Sequence, residues 1–415
     1  MPPTWRPCGR QWHASPTPAR RSPDTPRAAP VPHAVPPRDS GRRPAPDTMR
    51  HRRFPRAVIK ASKKNGWVDG ASLRRGPCWS PRMTDSQASE TLQEPGLLYM
   101  SSVDVEALGL TPADLRGAIG DAVRRRSHDI RGGLKTRVQV DETRFFMSMS
   151  DADTVLGLGV TKWIGYSAAN AQRGLPAISA QIILSDADTA RPVAIMDGSW
   201  ITTHRTAALS ALAAQALARP GGSTLGVLGC GVQAHSNLAA LADVLPGLRK
   251  VRAFSRSTAS AEALADRARD MGFEAEVMQD PEALAGTSDV VVSCLPSIDG
   301  ITPIVRSQAL KPGALAIGVD LGRAWQRDGL SDHVDGFFTD DLAALERNGG
   351  NPSLAHQGRY DGDLYAMLSG AHPGRESDTQ RLMFLFPGMP LADLAVARLV
   401  MTRAAERGLG TSLMR

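Results

Sequence analysis

Three groups of residues in this chain have the types and spacing to do chemistry: a glycine turn, a set of cations in apolar surroundings, and a carboxylate after an apolar strand. The turn is Gly229-Cys230-Gly231-Val232-Gln233-Ala234. Gly229 permits a tight turn, Gly231 leaves room for a diphosphate, and Ala234 lets a following helix lie close to its strand. The cations are Lys162 in GVTKWIGY, Arg205 in HRTAALSALAA and Arg137 in KTRVQ. A cation buried among apolar residues is costly unless it meets an anion. Either each is paired with a structural carboxylate, or the three together hold a substrate carboxylate between guanidinium and ammonium groups. The carboxylate is Asp320 in GVDLG. Ligands of open α/β sheets bind at the carboxyl ends of the strands. Asp320 is therefore either a proton-transfer group beside a nicotinamide or an N-cap or ion-pair residue.

These side chains need elements to hold them. Leu225-Gly226-Val227-Leu228 is a short apolar run of the kind buried in a parallel sheet, and Leu238, Ala239 and Leu241 continue as a helix after the turn. The free N–H groups and positive dipole end of that helix point at the place where phosphates would lie. A glycine cluster alone is usually a loop; between a buried strand and an apolar helix it reads as a dinucleotide-binding turn. The next strand ends Ala253-Phe254-Ser255-Arg256-Ser257, with no acid for an adenosine ribose. An arginine flanked by hydroxyls suits a 2′-phosphate and favours NADP(H); as a solvated loop residue, Arg256 would leave the pocket open to NAD as well.

Around this centre the chain alternates. Thr111-Pro112-Ala113-Asp114 is a helix start, with Leu115, Ile119 and Val123 on one face. Strands are predicted over Phe145–Met149, Val160–Tyr166, Ala177–Leu184 and Pro192–Met196, then an Ala-rich helix from Ile201 to Leu217. After the turn come strands at Val251–Phe254, Glu274–Met278, Asp289–Ser293, Ala314–Gly318 and Gly336–Thr339, with a helix over Ala259–Met271. Leu382–Phe386 and a helix from Leu391 to about Glu406 form a last strand and helix, expected to return to the first domain. The fold class is α/β, with a doubly wound parallel sheet of the Rossmann type.

Composition narrows the function. The formal net charge of +7 comes from one end: residues 1–82 carry 18 of the 49 Lys and Arg but 4 of the 42 acids, so the rest of the chain stands at −7. The globular part gives no reason to invoke nucleic acid. No run of about 18 apolar residues exists, so no membrane partner is expected. Residues 1–82 also hold 16 of the 30 prolines and show no periodicity. They are expected to be a disordered basic extension outside the working protein, with translation starting near Met83 and a targeting or binding role as the alternative. Cys8, Cys78, Cys230 and Cys294 include no metal-ligand spacing, and a cytoplasmic location is expected.

The ordered combination KWIGY, GLPAISAQIIL, PVAIMDGSWIT, HRTAALSALAA, LGVLGCGVQA, GVD, DLYAMLSGAHPGR and FPGMPLADLA, with Gly388 and Asp393, resembles the ornithine cyclodeaminase and mu-crystallin family from about Leu97 to the C-terminus. The resemblance implies a homodimer whose substrate-binding and dimerisation domain is α+β, formed from 97–206 and 342–415, with the cofactor domain, 207–341, inserted. It implies that Arg137, Lys162 and Arg205 bind substrate, that Pro387 lines it, and that Asp320 and Lys162 are catalytic. It implies cofactor contacts from Gly229, Gly231, Val232, Gln233, Ser255, Arg256, Ser293 and Thr206. The activity it implies is NAD(P)-dependent chemistry on a small amino or imino acid, with ornithine cyclodeamination the first expectation. Alternatives are a cyclic-imine reductase, an alanine-type dehydrogenase, an enzyme releasing diaminopropionate by oxidative cleavage, or a binding protein for NADPH or a small ligand. Leu321-Gly322-Arg323 departs from the Pro-Gly-Lys common in the family.

Overall fold

The apolar runs of the sequence become two sheets in the computed structural model, which describes residues 96–126, 135–296, 300–347 and 349–414. The expected basic extension, residues 1–82, lies outside the described residues. The first sheet contains β1 (Leu97–Met100), β2 (Thr136–Asp141), β3 (Arg144–Asp153), β4 (Leu158–Ser167), β5 (Ile178–Asp186) and β6 (Pro192–Asp197). Strands β2 to β6 run as an antiparallel meander, and β1 adds in parallel to β6. Burial alternates along β4, so one face of the sheet is dry and the other is not, which is the period of two that alternating side chains impose.

The dry face is covered by helices. Between β1 and β2 lie α1 (Ser102–Ala107) and α2 (Pro112–Arg125), and α3 (Ser199–Leu217) follows β6. Helix α2 starts as its sequence requires: Thr111 accepts from the Asp114 N–H, and Asp114 accepts from the Thr111 N–H. Leu115, Ile119 and Val123 are buried. Helix α3 is buried on nearly every side, packed against α2 and against elements of the second sheet.

The second sheet is wholly parallel. Its elements are β7 (Thr224–Leu228), α4 (Val232–Val244), β8 (Lys250–Phe254), α5 (Thr258–Asp270), β9 (Glu274–Val277), α6 (Pro281–Thr287), β10 (Val290–Ser293), β11 (Leu315–Gly318), β12 (Gly336–Thr339), α7 (Leu342–Arg347), β13 (Gly362–Asp363), α8 (Leu364–Ser369) and β14 (Leu382–Leu385). The strand order is β13-β12-β14-β11-β10-β7-β8-β9. The chain steps outwards from β7 to β8 and β9, then crosses to β10 on the other side. The crevice beyond the carboxyl ends of β7 and β10 is thus the switch point where such sheets bind ligands.

The C-terminal stretch divides between the sheets, which corrects the expectation that 342–415 returns as a whole to the first. Strand β14 enters the parallel sheet between β11 and β12. Its four residues, Leu-Met-Phe-Leu, are all buried, and an all-apolar strand needs cover on both faces. Among the described residues, α9 (Pro390–Arg407) and β15 (Thr411–Leu413) rejoin the first sheet, α9 against β3 and β4 and β15 beside β1, while α8 packs on α2. No described helix is long and apolar enough to cross a membrane.

Candidate active site

Strand β7 ends at the glycine turn, and α4 begins at Val232 with Gly231 as its N-cap and no side chain capping it. Gly229 has φ +86°, and a Cβ there would lie 2.9 Å from the Cys294 carbonyl oxygen, so only glycine lets β7 turn this close to the end of β10. At Gly231 a Cβ would project into open space, where nothing stands within 4 Å. Uncapped N–H groups, a helix dipole and open room fit a diphosphate. Ser255 and Arg256 follow β8, Ser255 half-buried and Arg256 exposed, with no acid at either position.

The expected trio of cations changes one member. Lys162 is fully buried and donates to Asp393 Oδ1 at 2.7 Å. Arg205 Nε lies 3.1 Å from the same oxygen, without the alignment of a hydrogen bond, and Arg205 Nη1 is buried without a partner. Arg137 is elsewhere: exposed, with its guanidinium 4.0 Å above the Phe145 ring. The third cation is Lys135, whose Nζ donates to the carbonyl of Pro387. Lys135 and Arg137 are two apart on one strand edge and share a face. The stretch KTRVQ contains both, and position along the chain decides which one reaches Pro387.

Burial controls the charge of this cluster. It pulls the pKa of Lys162 down to about 7, with Arg205 adding to the fall and Asp393 opposing it. It pulls Lys135 down to about 8, with Asp340 opposing. Both lysines can therefore change charge near neutrality.

Asp320 stands two residues past Gly318, the last residue of β11, at the carboxyl edge of the sheet. It is buried. Oδ1 accepts from Ser293 Oγ at 2.7 Å and from the Gly322 N–H at 3.0 Å, and Oδ2 accepts from the Leu295 N–H at 3.3 Å. Leu321 takes a left-handed φ of +66°, a strained conformation for leucine that folds Gly322 back under the carboxylate. Burial raises the pKa of Asp320, while the Ser293 hydroxyl, the two N–H groups and the charge of Arg323 hold it down.

Two expected cofactor contacts have other partners. Ser293 turns its hydroxyl to Asp320, and Thr206 donates to the Thr202 carbonyl within α3 at 2.7 Å. Their hydroxyls are taken up inside the protein because both are buried. Val232 is exposed at the start of α4, and Gln233 is half-buried with an unpartnered Oε1.

A cavity of about 340 Å³ opens where the two sheets meet, lined by Lys135, Asp340, Asp341, Asn351, Pro387 and Gly388 among others. Behind Gly388 lies Arg205: a Cβ on Gly388, which has φ +84°, would be 2.6 Å from Nη1. Asp340 is a further acid in this wall, not among the residues singled out by sequence. It follows β12, is buried, and one of its carboxylate oxygens has no partner. Burial pushes its pKa up to about 6, with Lys135 and Arg205 opposing the rise. A carboxylate directly after a buried strand was the available signal, the same one that singled out Asp320.

The sequence profile of the Ornithine cyclodeaminase/mu-crystallin family matches residues 97–408. The alanine dehydrogenase of Archaeoglobus fulgidus is 30% identical over 267 residues, 62% of this chain and 81% of that protein. The Δ1-pyrroline-2-carboxylate reductase of Bacillus cereus is 27% identical over 295 residues, covering 68% and 88%. Among solved structures, Δ1-pyrroline-2-carboxylate reductase of Thermococcus litoralis, in complex with NADH and L-proline, superposes with a TM-score of 0.67. It is 22% identical, with 76% of this chain and 100% of that one covered, which establishes likeness of fold.

Proposed function

Because the chain belongs to the ornithine cyclodeaminase/mu-crystallin family, we propose that it is an NAD(P)-dependent enzyme acting on small amino or imino acids, with ornithine cyclodeamination as its specific reaction. One observation carries this reading: Arg205 Nη1 is buried without a hydrogen-bond partner, near the buried Lys162 and the half-buried Lys135, behind the Gly388 wall of a cavity of about 340 Å³. A guanidinium nitrogen left dry and unpaired is an anion receptor awaiting its anion.

The residues then have distinct tasks. Arg205, with Lys135 and Lys162, receives the α-carboxylate, and Pro387 and Gly388 shape the wall beside it. Gly229, Gly231 and the first turn of α4, from Val232 and Gln233, hold the cofactor diphosphate. A nicotinamide bound there would accept the hydride from the α-carbon and return it later. Asp320 takes the proton from the substrate amine as the carbon–nitrogen double bond forms. With ornithine, the terminal amine attacks the imine carbon, ammonia leaves, and the cyclic imine is reduced to proline, so ornithine gives proline plus ammonia without net oxidation.

A second reading rests on Ser255 and Arg256. Without an acid at the end of β8, the site suits the 2′-phosphate of NADPH, which favours reduction of a cyclic imine as the net reaction. Incubation of the purified protein with ornithine and either oxidised cofactor, with proline and ammonia measured, separates the two from consumption of NAD(P)H with Δ1-pyrroline-2-carboxylate. Absence of turnover with ornithine, Δ1-pyrroline-2-carboxylate and alanine alike removes the enzyme reading.

The working form is a homodimer. The wet face of the first sheet exposes Tyr99, Val138, Phe146, Trp163 and Ile183, with Phe146 and Trp163 stacked 5.5 Å apart. Such an apolar face asks for a partner, and a second copy of the same sheet supplies a matching one. Sedimentation of Trp163→Glu is expected to give monomer; an unchanged sedimentation coefficient, or a monomeric parent, counts against it.

A further inference from the structure

Two unmet demands of opposite sign lie beside the cavity between the sheets. Arg205 Nη1 is unpartnered behind Gly388, and Asp340, which lines the cavity and is 1% exposed, has an Oδ2 without a partner. The rest of Asp340 is fixed. Its Oδ1 accepts from the Asp341 N–H at 3.1 Å and from Thr339 Oγ1 at 3.3 Å, so the carboxylate cannot rotate freely to find a donor. The charged groups around it are Lys135, Asp341 and Arg205. Lys135 Nζ donates to Pro387 and Asp341 Oδ1 accepts from the Ala344 N–H at the start of α7, and neither side chain hydrogen-bonds to Asp340 Oδ2.

We infer that Asp340 is a specificity-determining residue: it receives the positively charged end of the substrate side chain, so that the site selects amino acids carrying a second amine. A buried carboxylate oxygen without a donor is unfavourable, and a ligand ammonium supplies the missing hydrogen bond together with the opposite charge. A neutral aliphatic side chain leaves that oxygen dry and unpaired, and a second carboxylate is repelled by Asp340 and Asp341. Arg205 and Lys135 thus supply positive charge for the α-carboxylate, and Asp340 supplies negative charge for the second amine. Burial places the Asp340 pKa at about 6, so the group is ionised at neutral pH. This inference rests on the proposed amino-acid enzyme and adds to it the residue that reads the side chain.

The test compares L-ornithine with L-norvaline, which has the same carbon skeleton without the terminal amine. Binding to the NADPH-loaded protein, measured by titration calorimetry, needs no turnover. The parent is expected to bind ornithine at least about tenfold more tightly than norvaline, the scale of one charge-assisted hydrogen bond. Asp340→Asn is expected to bring the ratio to within about twofold while norvaline affinity stays the same, and Asp340→Glu, which keeps the charge, to retain a preference. Equal affinity of the parent for both ligands, no binding of ornithine, or an equal loss of both ligands in folded Asp340→Asn overturns the inference. Thermal melts of both variants report folding. Turnover of any amino or imino acid, followed by nicotinamide absorbance, judges the enzyme reading separately: activity on alanine without a preference for ornithine would defeat the role of Asp340 alone.

Discussion

Lys162 Nζ lies 2.7 Å from Asp393 Oδ1, in an ion pair with neither side chain more than 1% exposed and the partners 231 positions apart in sequence. Arg205 shares that oxygen, so one carboxylate from α9 serves two cations, one on β4 and one on α3. The arrangement ties the first sheet to the helix that leaves the parallel sheet. It also leaves Arg205 Nη1 and Asp393 Oδ2 both buried without a hydrogen-bond partner.

Removing the shared carboxylate therefore strands two buried cations. Asp393→Ala is expected to destabilise the protein by about 3–5 kcal/mol in denaturant unfolding, the usual loss when one partner of a buried ion pair is deleted. Lys162→Met, which leaves Arg205 on Asp393, is expected to cost less. A smaller effect from Asp393→Ala than from Lys162→Met would contradict the shared-counterion reading.

The pH dependence of carboxylate binding follows from Lys162. Its folded-state pKa of about 7 lies below the ordinary 10.5, so the folded protein releases this proton before the unfolded chain does. This group's contribution to stability therefore becomes more favourable as pH rises from about 7 towards 10.5. Affinity for a carboxylate without an amine, such as propionate, runs the other way and falls as pH climbs through the same range. In Lys162→Met the fall should flatten. A pH-independent affinity in the parent between pH 6 and 9, a range of about three units around that pKa, argues against a substrate-binding role for Lys162.

Ser293 acts through Asp320. The hydroxyl donates to Oδ1 at 2.7 Å and lowers the carboxyl pKa, against the rise caused by burial. Ser293→Ala is expected to move the acid limb of the kcat/KM profile to higher pH, because the carboxylate then gains its proton more readily. Asp320→Asn is expected to reduce kcat by about 10²-fold or more while ligand binding persists. A Ser293→Ala enzyme that loses rate equally at every pH would show the contact to be structural only.

Lys135 and Arg137 give opposite expectations although they are two residues apart. Lys135→Ala removes a cation from the cavity and is expected to raise KM about tenfold, in proportion to one lost charge-assisted contact. Arg137→Ala removes an exposed guanidinium from above Phe145 and is expected to leave KM within about twofold. The reverse pattern would restore the reading drawn from the sequence.

Local pattern alone determined much of this protein. The buried run of β7, the glycine turn and α4 are specified by neighbours in sequence, since a tight turn, a strand sealed on both faces and a helix start each have near-range physical requirements. The capping box at Thr111 and Asp114 is of the same kind. The placing of Asp320 after a buried strand was also legible, because the carboxyl edge of a parallel sheet is fixed by strand direction. Tertiary structure decided which charged groups meet. Strand periodicity gives Lys135 and Arg137 the same face and cannot say which of them reaches Pro387. Asp393 stood in the sequence as one more residue of a familiar stretch, and only the packing of α9 on β4 brings it to Lys162. Asp340 gained its meaning when β14 slipped between β11 and β12 and carried Pro387 and Gly388 to the same cavity. Electrostatic partners are set by distances in space, and those distances depend on strand order and register, which no local stretch of sequence contains.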